Sequence, residues 1–162
     1  MKKYMLTMLP IIGFIIVISL SFSHTIEYEV PYPEGYRTWT HVKTGLVGPA
    51  NPNFLTSGGY HHIYANEKAM LGYNTGIFPE GSVLVFDVIN FKEQNGNFPE
   101  TDRKQLDVML KDSTRYSSTG GWGYDEFRGD SHTERNITQA VRIQCFNCHA
   151  KNEDYVFSMF RK

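Results

Sequence analysis

Hydrophobic and polar positions change period several times along this chain, and each change predicts an element. Ser82 to Phe91 is the clearest strand, rich in Val, Ile and Phe. Leu106, Val108 and Leu110 alternate with Asp107, Met109 and Lys111, the period of a half-buried strand. Tyr60 to Ala65 predicts another, and Trp122 to Phe127 reads as a strand entered through Gly120 and Gly121. Arg37 to Thr44 alternates in size and polarity and is open to either a strand or a short helix. Asn66 is placed to cap a helix from Glu67 to Tyr73 that stops before Gly76. Ile137 to Cys148 can wind as a helix. Between these lie a proline-punctuated lead-in (His24 to Gly35), a loop (Val47 to Gly59), a turn at Pro79-Glu80-Gly81 and a polar connection (Lys92 to Thr101). There is no internal repeat and no low-complexity tract. The pattern predicts one β-rich domain with helices at its edges.

The N-terminus stands apart from this pattern. Lys2 and Lys3 precede an apolar run from Met8 to Leu20 and then Ser21-Phe22-Ser23, so residues 1–23 read as a signal peptide cut after Ser23, or as an uncleaved anchor. The run is short for a stable span, which needs roughly 20 apolar residues. Either way residues 24–162 form an exported domain, expected in the periplasm. The leader holds two of the 16 basic residues and none of the 17 acidic ones, so the exported part is more acidic than the whole-chain charge of −1. That argues against a nucleic-acid partner, which requires a basic surface. Aromatic residues make up 14% of the chain, enough to line a flat apolar cofactor.

The only two cysteines fall in Cys145-Phe146-Asn147-Cys148-His149. C-x-x-C-H is the spacing of c-type haem attachment. Two intervening residues let both sulfurs reach neighbouring edges of one porphyrin as thioethers. The histidine that follows is carried under the iron as its proximal ligand. Three other uses of such a pair fit less well. A thioredoxin-like redox pair belongs near a βαβ unit, and none surrounds this one. Structural zinc wants four ligands and here has no second cysteine pair. A disulfide across two residues closes too short a loop to gain much chain entropy. The motif therefore predicts one covalent haem c, tethered by Cys145 and Cys148 and ligated by His149.

Other stretches then fall into a recognisable order. His61-His62-Ile63-Tyr64-Ala65-Asn66, Phe78-Pro79-Glu80-Gly81-Ser82-Val83, Lys111-Asp112-Ser113, Gly121-Trp122-Gly123, the haem motif and Val156-Phe157-Ser158 together resemble the cytochrome P-460 family, which includes the β-sheet cytochromes called c′-beta. The resemblance runs from about Tyr36 to Arg161. It implies an α+β fold: an antiparallel β-sheet of about five strands with peripheral helices, a single C-terminal c-type haem site and a homodimer. It also implies His149 as proximal ligand and a vacant distal side. Members that oxidise hydroxylamine carry a lysine cross-linked to the haem, on the strand after the F-x-x-G turn. This chain has Phe86 there, and the nearest lysine is Lys92, beyond the strand. The departure counts against the cross-link and the oxidase activity. It turns the resemblance toward the c′-beta branch, which binds nitric oxide or another small nitrogen-oxide ligand. A redox partner protein is expected as well.

Around that open iron position several side chains compete for roles. Phe86 is either a dry, crowding distal wall or plain strand packing. His61 and His62 point to opposite faces of a strand, so one is a candidate sixth ligand; that would make the protein a six-coordinate electron carrier. Trp122 and Tyr124 share a face and can stack on the haem or simply fill the core. Asp125 and Glu126 are the carboxylates nearest that face, placed for a proton relay or a solvated rim. Met159 is a further ligand candidate with little chain to reach the iron, and Asp112 can orient a turn.

Overall fold

In the computed structural model, which describes residues 29–161, five strands form one antiparallel sheet in chain order: β1 (Thr40–Val47), β2 (Gly59–Ala65), β3 (Val83–Phe91), β4 (Glu100–Lys111) and β5 (Trp122–Arg128). Three helices accompany it: α1 (Phe54–Ser57), α2 (Glu67–Thr75) and α3 (Gln139–His149). The expected α+β architecture is therefore present. The segment 1–23 lies outside the described residues. Among the described residues no helix is long and apolar enough to cross a membrane.

Local signals account for most boundaries. Asn66 Oδ1 accepts from Ala69 N at 2.9 Å, capping α2, and Gly76 ends it at φ 84°, a conformation that favours glycine. Asp112 Oδ1 accepts from Arg115 N at 2.9 Å and so orients the turn after β4. The stretch from Arg37 resolves into two elements. Tyr36–Thr38 is a 3₁₀ turn and the strand begins only at Thr40, because Thr38 N bonds back to Gly35 O instead of joining the sheet. The loop before β2 contains the short helix α1, which its Gly, Pro and Asn content does not announce.

The sheet register sorts side chains onto two faces. One face carries the cross-strand row Ile63, Phe86, Asp107 and Glu126, with Ala65, Leu84, Met109 and Tyr124 in the row beside it. The other carries Val85, Asp87, Leu106, Val108 and Phe127. Each face has its own apolar cluster. Val30, Tyr36 and Tyr116 close over the second face, while Val42, Ala69, Phe78 and Trp122 join the first. Covering both faces explains the near-continuous apolar run of β3. The alternation expected of β4 is present: Leu106 and Val108 are buried and Asp107 and Met109 half-buried, the latter pair turned toward α3 and the C-terminal segment.

Two buried ion-pair groups hold the outer layers down. Asp87, fully buried, accepts from Tyr36 Oη (2.7 Å), Arg37 Nη2 (2.9 Å) and Arg103 Nε (2.8 Å). Asp125 accepts from Val30 N (3.1 Å), Arg135 Nε (3.0 Å) and Arg142 Nη2 (3.2 Å). Arg142 belongs to α3, so the second group ties the cysteine-bearing helix to β5. Asp125 is thus a structural anchor and not a carboxylate of the solvated rim.

Candidate functional site

A cavity of about 310 Å³ lies between the first sheet face and α3. Its sheet wall includes Ile63, Leu84, Phe86, Met109 and Tyr124, and its other wall includes Cys145, His149 and Val156 to Ser158. At 3.6 residues per turn, Cys145, Cys148 and His149 fall within about 100° of arc on α3. Cys145 and His149, one turn apart, line the cavity, and Cys148 stands exposed on the flank. Burial and the nearby Asp107 and Glu126 carboxylates push the Cys145 thiol pKa up.

One ring nitrogen of His149 is already engaged. Nδ1 lies 2.8 Å from the Tyr155 carbonyl oxygen. A carbonyl only accepts, so Nδ1 carries the hydrogen and Nε2 keeps its lone pair. Burial lowers the imidazole pKa, which favours this neutral form, while the carbonyl bond opposes the shift. Phe157 packs edge-on against the ring at 4.5 Å and Tyr124 lies tilted at 5.2 Å, so the ring is held on two sides.

Of the acidic residues along the cavity, Asp107 and Glu126 belong to this sheet face. Asp107 and Glu126 are direct register partners, and Gln105 Nε2 donates to Asp107 Oδ1 (2.9 Å) and Glu126 Oε2 (3.2 Å). Burial, then the neighbouring Glu126 charge, raises the Asp107 carboxyl to about 7, and Glu126 is raised by burial as well. The sequence points to Glu126 and passes over Asp107. The signal for it is a lone acid within the apolar stretch Leu106 to Leu110, on the same side as Met109.

The remaining candidates separate cleanly. Phe86 lines the cavity and packs on the His61 ring at 4.7 Å. Trp122 does not line it: fully buried at the start of β5, it packs on Phe78 (5.8 Å) under α2. Tyr124, two residues along the same face, takes the cavity position. The two-residue step carries Trp122 out of the cavity lining and onto Phe78, Lys111 and Asp154, so it fills core instead of facing a cofactor. His61 donates through Nε2 to Ser57 O (2.7 Å), and His62 sits on the opposite face between Thr44 Oγ1 (2.9 Å) and Glu100 Oε1 (2.8 Å). Met159 is 80% exposed. None of these three lines the cavity. Lys92 lies past the end of β3, and no described lysine lines the cavity.

One polar atom of a residue that lines the cavity is left unmet. The Tyr124 hydroxyl is buried without a hydrogen-bond partner among the described residues, and burial pushes its pKa well up. Such a group costs about 1–3 kcal/mol unless something meets it. Two thiols, an imidazole with Nε2 free, and aromatic and aliphatic walls fit a covalently held haem. By contrast, among the described residues no cluster of three or more His, Cys, Asp or Glu is arranged for a bare metal ion.

An α+β domain that roofs one face of an antiparallel sheet with a C-x-x-C-H helix is the layout of a sheet-based c-type cytochrome. The model of the Cytochrome P460 family matches residues 33–158, most of the chain, and the chain belongs to that family of haem-binding c-type cytochromes. No curated protein matches it.

Proposed function

We propose that the protein is an exported, periplasmic mono-haem cytochrome of the c′-beta kind. It binds a small nitrogen-oxide ligand, nitric oxide foremost, at a five-coordinate iron. Cys145 and Cys148 would hold the haem and His149 Nε2 would ligate its iron. The bound haem supplies an open metal site for a diatomic ligand and one-electron chemistry. The chain supplies the rest. The Tyr155 carbonyl keeps His149 in the ligating tautomer, and Phe86, Ile63 and Met109 keep water from the pocket. The observation that carries the reading is where the competing ligands sit: His61, His62 and Met159 all lie away from the cavity that His149 lines. A homodimer and a redox partner protein belong to the same proposal.

The test is the visible spectrum and intact mass of protein matured with a working haem-attachment system. We expect the mass of one added haem, a high-spin ferrous spectrum and a nitrosyl form with nitric oxide. A low-spin, six-coordinate ferrous spectrum at rest would overturn the open site, and colourless protein at bare polypeptide mass would overturn the cofactor.

A second reading, oxidation of hydroxylamine, is favoured by one observation. The Asp107–Glu126 pair places a carboxyl poised near neutrality on the cavity wall, where it can exchange protons with a bound N–O compound. Turnover with hydroxylamine and a dye acceptor that is lost in Asp107→Asn would establish this activity; no product at high protein concentration would exclude it.

A further inference from the structure

The C-terminal segment turns sharply at Glu153–Tyr155, where two consecutive non-glycine residues are left-handed: Asp154 (φ 38°, ψ 35°) and Tyr155 (φ 64°). Each such residue costs about 1 kcal/mol or more and persists only where its surroundings over-determine it. Here the surroundings converge on the Asp154 carboxylate. Oδ2 accepts from Phe78 N (2.6 Å), just beyond α2. Oδ1 accepts from Lys111 Nζ (2.9 Å), at the end of β4, and more loosely from Trp122 Nε1 (3.4 Å), at the start of β5. The Lys111 and Asp154 side chains are 12% and 15% exposed, so the pair is largely shielded from water. Lys111 also lies over the Trp122 ring at 5.1 Å. Gly120 keeps the floor of the turn open, since a Cβ there would collide with the Tyr155 ring.

The carbonyl at the end of this turn is the one that accepts from His149 Nδ1. We infer that Asp154, gripped by Lys111, Trp122 and Phe78 N, is a positioning residue for the proximal histidine: it holds the strained turn that aims the Tyr155 carbonyl at Nδ1. A partner on the far nitrogen fixes the ring and raises its basicity as a ligand. The clamp therefore strengthens the iron–imidazole bond and stabilises ferric iron. It also gives Lys111 of Lys111-Asp112-Ser113 and Trp122 of Gly121-Trp122-Gly123 a shared purpose. The inference rests on His149 being the haem ligand.

The experiment compares haem-loaded wild type, Asp154→Gly and Lys111→Gln. Glycine accepts the left-handed turn without strain, so Asp154→Gly removes the anchor while leaving the backbone free to keep its path. Both variants should show a lowered iron–histidine stretching frequency in resonance Raman of the ferrous protein. At a fixed applied potential their reduced-to-oxidised ratio should rise about tenfold, the low end of effects from groups behind a metal ligand. Wild-type frequency and ratio in both loaded variants would overturn the clamp; if Asp154→Gly does not load, Lys111→Gln decides alone. Failure of the ligand assignment looks different: His149→Ala would then keep the wild-type stretching band.

Discussion

Asp107 and Glu126 face each other directly across β4 and β5, and both line the cavity that holds Cys145 and His149 on its other wall. Like charges opposite one another in a sheet are unfavourable. Here Gln105 bridges the pair, and burial favours keeping a proton on it.

The pair makes stability fall as pH rises. Asp107 ionises near its ordinary 3.8 in the unfolded chain and near about 7 in the fold. Between these values the folded state binds more protons, so the slope of unfolding free energy against pH is negative. The loss from pH 4 to 7 is about 2–4 kcal/mol at roughly 1.4 kcal/mol per unit. Glu126, also raised, adds in the same direction. Asp107→Asn should remove most of the slope in urea unfolding between pH 4 and 8; a slope as steep as wild type would show that Asp107 is ordinary.

Tyr124→Phe should stabilise the haem-free chain by about 1–2 kcal/mol, because it deletes a buried hydroxyl that has no partner. The gain should shrink or reverse in the haem-loaded protein if the hydroxyl meets the cofactor. Denaturant unfolding of both forms checks this, and an equal gain in each would show that the hydroxyl and the haem do not interact.

Arg142→Met should destabilise the protein by about 3 kcal/mol, since it takes one guanidinium from the buried Asp125 carboxylate and cuts the bond from α3 to the Tyr124 carbonyl. Haem incorporation should fall with it, as α3 carries the attachment motif. Unfolding curves and the ratio of haem absorbance to protein report both effects, and wild-type values in both would show that α3 is held by packing alone.

Phe86→Ala should open the sheet wall, costing about 2 kcal/mol for the lost packing on the partly buried ring. Nitric oxide should then combine faster with the ferrous protein, as steric access governs ligand entry to haem. Stopped-flow mixing measures it; an unchanged rate would place Phe86 outside the ligand path.

Consecutive residues alone were enough for four of the five strands, the capped helix α2, the turn at Asp112 and the haem-attachment motif, and they left the stretch that holds β1 open between strand and helix. Period, caps and the C-x-x-C-H spacing act within a few residues of one another, so their physics is complete in the local chain. By the resemblance to the family, residue identity also puts Phe86 where the cross-linking lysine is expected. Covering was decided only by the tertiary structure. Alternation along β4 says that Asp107 and Leu106 face opposite ways, but not that a helix some 30 residues further on roofs the Asp107 side. The same holds for Trp122, which shares a face with Tyr124 yet lies under α2, and for Asp125, drawn to Arg135 and Arg142 and away from the rim. The grip of Lys111 on Asp154 joins β4 to the C-terminal turn, across 43 residues. Such meetings depend on cross-strand register and on which layer settles over which face, and both are set by packing between segments distant in the chain.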